Sequence, residues 1–186
     1  MTGILLAGGR SSRMGADKAF LKFRGRPLYK YSLDILEALC PEILISSSDQ
    51  RFSGSGHRLV PDKIPGIGPL GGIYSCLSET RESRALILGC DMPGMNIDFI
   101  KVLIEQSKNH LLTVGKNQED RVEPLAGIYH KELLEIMSNQ IEKGIYKMSK
   151  LLESVHAKII DPAESGFDPQ ILYRNINRPS DLEKST

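Results

Sequence analysis

Residues 84–91 read RALILGCD. Ala85 to Leu88 are apolar with no polar residue between them, and the run stops in glycine, cysteine and aspartate. A strand with one wet face alternates. An unbroken apolar run predicts burial on both faces, as in a parallel sheet between two helical layers. Gly3–Ala7 and the EILIS of residues 42–46 have the same character, and RLVPD (58–62) reads as a third short strand. Between these runs the period changes. In RPLYKYSLDILEALC, Leu28, Tyr31, Ile35, Leu36 and Leu39 recur at helical spacing; Pro27 suits a first helical position and Pro41 stops the helix. PLGGIYSCLSE reads as a second helix, weakened by Gly71 and Gly72. Strand and helix in alternation predict βαβ units. The expected fold is a three-layer α/β/α sandwich on a mainly parallel sheet, with residues 1–186 forming one domain.

The rest of the chain continues the pattern. IDFIKVLIEQS and KELLEIMSNQIEK read as amphipathic helices and YKMSKLLESV as a shorter one; LLTVG, PLAGIYH and HAKIID read as strands. SSSDQRFSGSGHR (46–58) is the most loop-like segment, and AFLKF is either a short strand or the first turn of a helix. The tail LYRNINRPSDLEK reads as a strand followed by a capped turn.

At 40% hydrophobic and 25% charged, the composition is that of a chain able to bury a core. Twenty-four Lys and Arg stand against 23 Asp and Glu, a formal charge of +1. That balance excludes a dedicated nucleic-acid binder, which carries a basic excess, but permits a local basic site. No apolar run approaches the roughly 18 residues a membrane span needs, and no signal peptide is visible. Cys40, Cys76 and Cys90 lack metal spacing, and the four histidines are scattered. Reduced, buried cysteines and a cytoplasmic location are expected.

In an open parallel sheet, ligands bind beyond the carboxyl ends of the strands. The first strand is followed by GGRSSRMGADK, the second by SSSD, RLVP by Asp62-Lys63, and RALILGC by Asp91. In the first loop, glycines let backbone N–H groups approach an anion, and Arg10, Arg13 and Lys18 can neutralise polyphosphate. The alternative is a surface turn with solvated arginines. The common nucleotide motifs are absent: there is no GxGxxG and no GxxxxGK[ST]. Asp91, opposite this basic loop, suits Mg²⁺, which takes one or two protein carboxylates plus substrate oxygens and water. The bland reading is a turn aspartate. VPDKIPGIGPLGGI sets Gly66, Gly68, Gly71 and Gly72 around two prolines. Those glycines admit either a nucleotide against the backbone or close helix–sheet packing. Asn175 and Asn177 share a face if their segment is a strand. Their amides can read a heterocycle, or serve ordinary turn chemistry.

Taken together, LLAGGRSSRMGADKAFL (5–21), GRPLYKYSLDIL, IGPLGGIYSCL, GCDMP, EPLAGIY and NINRPSDL resemble, in order and over nearly the whole chain, the molybdenum cofactor guanylyltransferases. The resemblance implies a Rossmann-like nucleotidyltransferase fold of the glycosyltransferase-A type. It implies transfer of GMP from GTP to the terminal phosphate of molybdenum-bound molybdopterin, with Mg²⁺ as cofactor and pyrophosphate leaving. It also implies transient contact with molybdopterin-synthesis proteins and molybdoenzymes. By the family pattern Leu6, Ala7, Gly8, Gly9, Ser46, Asp62 and Gly68 meet the nucleotide. Lys18 and Arg13 hold phosphates, Asp91 ligates the metal, and Asn175 and Asn177 lie on the molybdopterin side. Where relatives often carry an asparagine after the second strand, this chain has Ser46, with Ser47, Ser48 and Asp49 as alternative contacts there. The rivals are a molybdopterin cytidylyltransferase, another small nucleotidyltransferase, and a non-catalytic nucleotide-binding accessory protein. Gly8 in place of the alanine usual in cytidylyl- and sugar-nucleotidyltransferases makes room for a purine. The presence of Asp91 argues against a protein that has lost its metal site.

Overall fold

A computed structural model describes residues 1–8 and 18–176. Seven strands make one sheet: β1 (Thr2–Leu6), β4 (Glu42–Ser46), β5 (Arg58–Val60), β6 (Arg84–Gly89), β7 (Leu112–Lys116), β8 (Val122–His130) and β9 (Lys158–Ile160). Their spatial order is β5-β4-β1-β6-β8-β7-β9. Pairings β1–β4, β1–β6, β4–β5 and β7–β9 are parallel, while β8 runs antiparallel to both its neighbours. The sheet is thus mainly parallel, with one reversed strand that follows β7 through the turn at 117–121. A separate two-residue hairpin, β2 (Lys22–Phe23) with β3 (Arg26–Pro27), precedes the first helix.

The apolar runs are buried on both faces because successive side chains go to opposite sides. Leu5, Ile43, Ile45, Leu86 and Leu88 join one core cluster; Ile4, Leu6, Leu44 and Ile87 join the other. Helices α1 (Leu28–Leu39) and α3 (Ile97–Gln106) cover the first face, through Leu33, Leu36, Phe99 and Leu103. Helices α2 (Pro69–Glu79), α4 (Leu133–Glu142) and α5 (Met148–Ser154) cover the second, through Ile73, Leu77, Met137 and Leu151. Each fully buried Leu or Ile contributes about 1.5–3 kcal/mol. The three layers are therefore dictated by the double-sided strands.

Helix α1 has no side-chain cap. Instead Leu28 N–H donates to the Leu21 carbonyl at 2.9 Å and Tyr29 N–H to the Ala19 carbonyl at 3.0 Å. The chain just after Lys18 therefore satisfies the first amides of α1, which otherwise lack partners. At the other end Cys40 is extended before Pro41, as a residue preceding proline prefers.

Two expectations fail. Segment 46–58 is not a plain loop: Gln50–Ser55 form a 3₁₀ helix capped by Asp49, and Phe52 is buried. Its ring lies 4.8 Å from Phe20 and 5.1 Å from Tyr29, and Arg51 stacks 4.1 Å over Phe20. One aromatic anchor overrides a loop-like composition. Nor is there a strand in the described part of the tail. Asp168 caps a short helix, α6 (Pro169–Leu172), whose proline sits in the first turn, and residues 174–176 follow it as irregular chain. The three cysteines are free and buried; burial pushes the Cys40 thiol up to about 11 and those of Cys76 and Cys90 up to about 12. Among the described residues no helix is long and apolar enough to cross a membrane.

Candidate active site

The carboxyl ends of β1, β4 and β6 meet at one edge of the sheet. There the strands give way to loops that remain tied to each other. Ala7 N–H donates to the Ser46 carbonyl and Cys90 N–H to the Leu6 carbonyl, both at 3.2 Å. This edge encloses a cavity of about 130 Å³. Of the residues expected at a nucleotide site, Leu6, Ala7, Gly8, Lys18, Ser46, Asp62, Gly68 and Asp91 all line it. Gly9, Arg13 and Asn177 lie outside the described residues. Pro69, Gly72, Gly89, Cys90 and Leu125 complete the wall.

Lys18 is the nearest cation to the acid of this edge among the described residues that line the cavity. Its Nζ lies 2.6 Å from Asp91 Oδ2, with side chains only 17% and 18% exposed. Two residues 73 apart in sequence are brought together because one follows β1 and the other follows the adjacent β6. The Asp91 turn is held from both sides. Ser32 on α1 donates to the Gly89 carbonyl at 2.7 Å, and Ile176 N–H donates to the Asp91 carbonyl at 3.0 Å. Ile176 itself is buried against Phe23 and Leu28. Asn175, one residue earlier, is exposed.

The opposite wall is the start of α2. Gly68, its N-cap, has φ 70° and ψ −154°, a conformation open almost only to glycine. Pro69 opens the first turn and no side chain caps the helix. The helix N-terminus at this wall is suited to an anion. Asp62 and Ser46 lie beside it. Ser46 Oγ donates to Asp62 Oδ1 at 3.4 Å, and Ser46 is 2% exposed. Burial raises the Asp62 carboxyl above its ordinary range, and the Ser46 bond offsets part of that. A Cβ at Gly72 would overlap Ser46 Oγ. A Cβ at Gly71 would come within 2.9 Å of the Ile64 carbonyl. The glycines thus divide their work: Gly68 opens on the cavity, Gly71 permits packing against the preceding loop, and Gly72 makes room for Ser46. At Gly8 a Cβ would lie 3.0 Å from the Ser46 carbonyl, a tight contact that a glycine relieves.

A second, larger cavity of about 650 Å³ adjoins the Asp91 turn through Pro93 and Gly94. Phe23 and Arg24 of the small hairpin, Asn117 and Arg121 of the β7–β8 turn, and Arg174 of the tail line it. A Cβ at Gly94 would overlap the Ile171 carbonyl, so this glycine lets α6 close against the turn. The β7–β8 register shifts between Val114 and Gly115, which pair with Gly127 and Glu123. Pro124–Ala126 bulge away from β7, and Leu125 reaches the smaller cavity. Asn117 Nδ2 donates to Glu123 Oε1 at 2.8 Å. Burial raises the Glu123 carboxyl, the Asp91 carboxylate adds to the rise, and the Asn117 bond opposes it. Tyr173 lines the larger cavity, 6% exposed, and its hydroxyl has no hydrogen-bond partner among the described residues. Sequence reasoning assigned no role to Glu123, Asn117, Arg121 or Tyr173. Glu123 stands in the EPLAGIY stretch; Asn117 and Arg121 stand in an ordinary polar turn.

Among the described residues no group of three or more His, Cys, Asp or Glu could hold a metal ion. A carboxylate on the same cavity wall as an uncapped helix N-terminus suits Mg²⁺, which takes its remaining ligands from phosphates and water. The Lys18 ammonium already shows that Asp91 Oδ2 accepts a cation here.

Residues 3–159 match the family model of the MobA-like NTP transferase domain. A protein of Thermococcus sibiricus named as a probable molybdenum cofactor guanylyltransferase is 34% identical, over 99% of this chain and 96% of its own length. The molybdenum cofactor guanylyltransferase of Yersinia pseudotuberculosis is 29% identical, over 98% and 93%. The solved structure of molybdopterin-guanine dinucleotide biosynthesis protein A from Archaeoglobus fulgidus superposes with a TM-score of 0.80, covering 99% of this chain and 96% of that one. At 21% identity it speaks for the Rossmann-like nucleotidyltransferase fold alone. By its residues 3–159 and by its full-length relatives, the chain belongs to the molybdenum cofactor guanylyltransferase family.

Proposed function

We propose that this protein transfers GMP from GTP to the terminal phosphate of molybdenum-bound molybdopterin. The observation that carries the reading is the Lys18–Asp91 pair on the wall of the smaller cavity, with Asp91 two residues before the Pro93-Gly94 turn that lines the larger one. The smaller cavity is below the roughly 300–1,000 Å³ of an ordinary small-molecule site. It therefore takes part of the nucleotide, against Leu6, Ala7, Gly8, Asp62 and Gly68. Ser46 reaches the nucleotide through Asp62. The larger cavity, with Arg24, Arg121 and Arg174 on its wall, takes the anionic acceptor, and Asn175, next to Arg174 in the chain, is assigned to that side by family pattern. Asn177 is assigned there by family pattern.

In the transfer, an oxygen of the acceptor phosphate bonds to the α-phosphorus of GTP. The bond from that phosphorus to the bridging oxygen breaks, and pyrophosphate carries the electron pair away. The acceptor oxygen is anionic near neutral pH, so no general base is needed. The obstacle is repulsion between two polyanions, and positioning with charge neutralisation overcomes it. Lys18 binds phosphate oxygens and stabilises charge gathering on the leaving pyrophosphate, with Arg13 assisting. The α2 N-terminus supplies oriented dipoles. Asp91 would hold Mg²⁺, whose chemistry here is Lewis-acid polarisation of a phosphoryl oxygen.

Thermal melts with GTP, CTP, ATP and UTP, each with Mg²⁺ and with EDTA, test the reading. A ligand at 100 times its dissociation constant stabilises by about 2.7 kcal/mol, about 5–10 °C for a chain of this size. A rise with GTP that Mg²⁺ enlarges is expected. A rise with CTP alone would move the assignment to the cytidylyltransferases, and no rise with any nucleotide would overturn it.

A further inference from the structure

The cavity is built with its own cation in place. We propose that Lys18 occupies the coordination position on Asp91, so that the nucleotide-free protein excludes a divalent ion and metal loads only with, or after, the triphosphate. The inference rests on the reading of Asp91 as the metal carboxylate.

Three observations carry it. The Lys18 ammonium sits 2.6 Å from Asp91 Oδ2, and both side chains are more than four-fifths shielded from water. The other oxygen, Oδ1, is packed toward Gly89, where a Cβ would meet it at 2.9 Å. Gly89 itself lines the cavity, and Oδ2 is the oxygen that Lys18 holds. Among the described residues no group of three or more His, Cys, Asp or Glu offers the ion a preformed site. A divalent ion reaching Asp91 without the nucleotide would face an ammonium at contact distance and would find no preformed set of three such ligands among the described residues. A triphosphate changes both terms. It gives Lys18 phosphate oxygens in exchange for Asp91, and it brings ligands that Mg²⁺ prefers. The backbone keeps Lys18 near for the exchange: Leu21 N–H donates to the Lys18 carbonyl at 3.1 Å, and Ala19 is buried beneath α1. By linkage, nucleotide and metal then raise each other's affinity by the same factor.

The test is Mn²⁺ binding, followed by electron paramagnetic resonance on nucleotide-free protein. Wild type is compared with Lys18→Met, Lys18→Gln, Lys18→Arg and the double variant Lys18→Met/Asp91→Asn. The two neutral variants ensure a folded sample, checked by circular dichroism and a cooperative melt. The proposal expects a neutral residue at position 18 to tighten Mn²⁺ at least about tenfold. Arginine should leave Mn²⁺ as weak as in wild type, and the double variant should lose the gain. Equal Mn²⁺ affinity in wild type and the neutral variants would overturn it, as would a gain that survives Asp91→Asn. GTP binding to wild type is measured separately. Its absence would defeat the guanylyltransferase reading, whereas the Mn²⁺ comparison among variants decides the Lys18 proposal by itself.

Discussion

Replacing Gly72 with alanine puts opposing forces on one atom. In an exposed helix interior the change would stabilise by about 0.5–1 kcal/mol, because glycine loses more freedom on folding. Here the new Cβ overlaps Ser46 Oγ and comes within 3.4 Å of Asp62 Oδ1 and 3.5 Å of Leu6 Cδ2. Ser46 is 2% exposed, so its hydroxyl has little room to turn away and would lose its bond to Asp62. Overpacking of this kind costs about 1–3 kcal/mol. A lost hydrogen bond adds about 0.5 kcal/mol, the low end for one of this length. The net is a loss of about 1–2 kcal/mol, read as a fall in Tm of about 3–6 °C. The methyl group also narrows the nucleotide cavity, so GTP affinity should fall. The decisive arm is the Ser46→Ala background, which removes the struck atom. There Gly72→Ala should cost nothing or stabilise, a coupling of about 1 kcal/mol or more in a double-mutant cycle. An equal loss in both backgrounds, or a rise in Tm in the wild type, would refute the packing argument.

Asp91→Asn should abolish metal-dependent turnover with circular dichroism unchanged, and should lower stability by about 1–3 kcal/mol because Lys18 loses a shielded charged partner; retained turnover would contradict the metal assignment. Asp62→Asn should raise Tm near neutral pH and weaken nucleotide binding. A carboxyl raised by burial binds its proton more tightly folded than unfolded. Its cost is absent below the ordinary carboxylate range near pH 4 and grows as pH rises through the folded value, so the Tm gain should vanish near pH 3. A gain equal at both pH values would exclude this cause. Tyr173→Phe removes a buried hydroxyl with no partner among the described residues and should stabilise by about 1 kcal/mol in a urea titration; a loss of that size would show that the hydroxyl is bonded.

Much of this molecule is written locally. Ala85–Leu88, Ile43–Ile45 and Ile4–Leu6 declare two-sided burial by being apolar at every step, and the residues after them fall at one edge by topology alone. That is why the glycine-rich loops, Asp62 and Asp91 at this edge are legible in the strand pattern, whereas Leu6 and Ala7 enter through the family resemblance. Helix α2 was legible in spite of Gly71 and Gly72, because Leu70, Ile73, Cys76 and Leu77 still bury one face. Strand direction is another matter. Burial is indifferent to polarity, and the reversal of β8 depends on the turn at 117–121. LYRNIN alternates like a strand, yet Asp168 and Pro169 start a helical turn just before it and Ile176 is spent on the pocket of Phe23 and Leu28. The SSSDQRFSGSG segment carries loop residues, and its order comes from Phe52 meeting two distant rings. The Lys18–Asp91 contact is a consequence of strand order, so it lies beyond any local window. Glu123 and Asn117 likewise become neighbours through a bulge that no composition announces.

The central claim is nucleotidyl transfer, and isotopic label follows it directly. The protein, Mg²⁺ and molybdenum-bound molybdopterin are incubated with GTP labelled at the α- or the γ-phosphate, and pterin product is separated from small phosphates. The expected result is α-label in the pterin dinucleotide and γ-label in pyrophosphate, with neither product from Asp91→Asn. Label entering the pterin from the γ-phosphate, or from CTP and not from GTP, would contradict it.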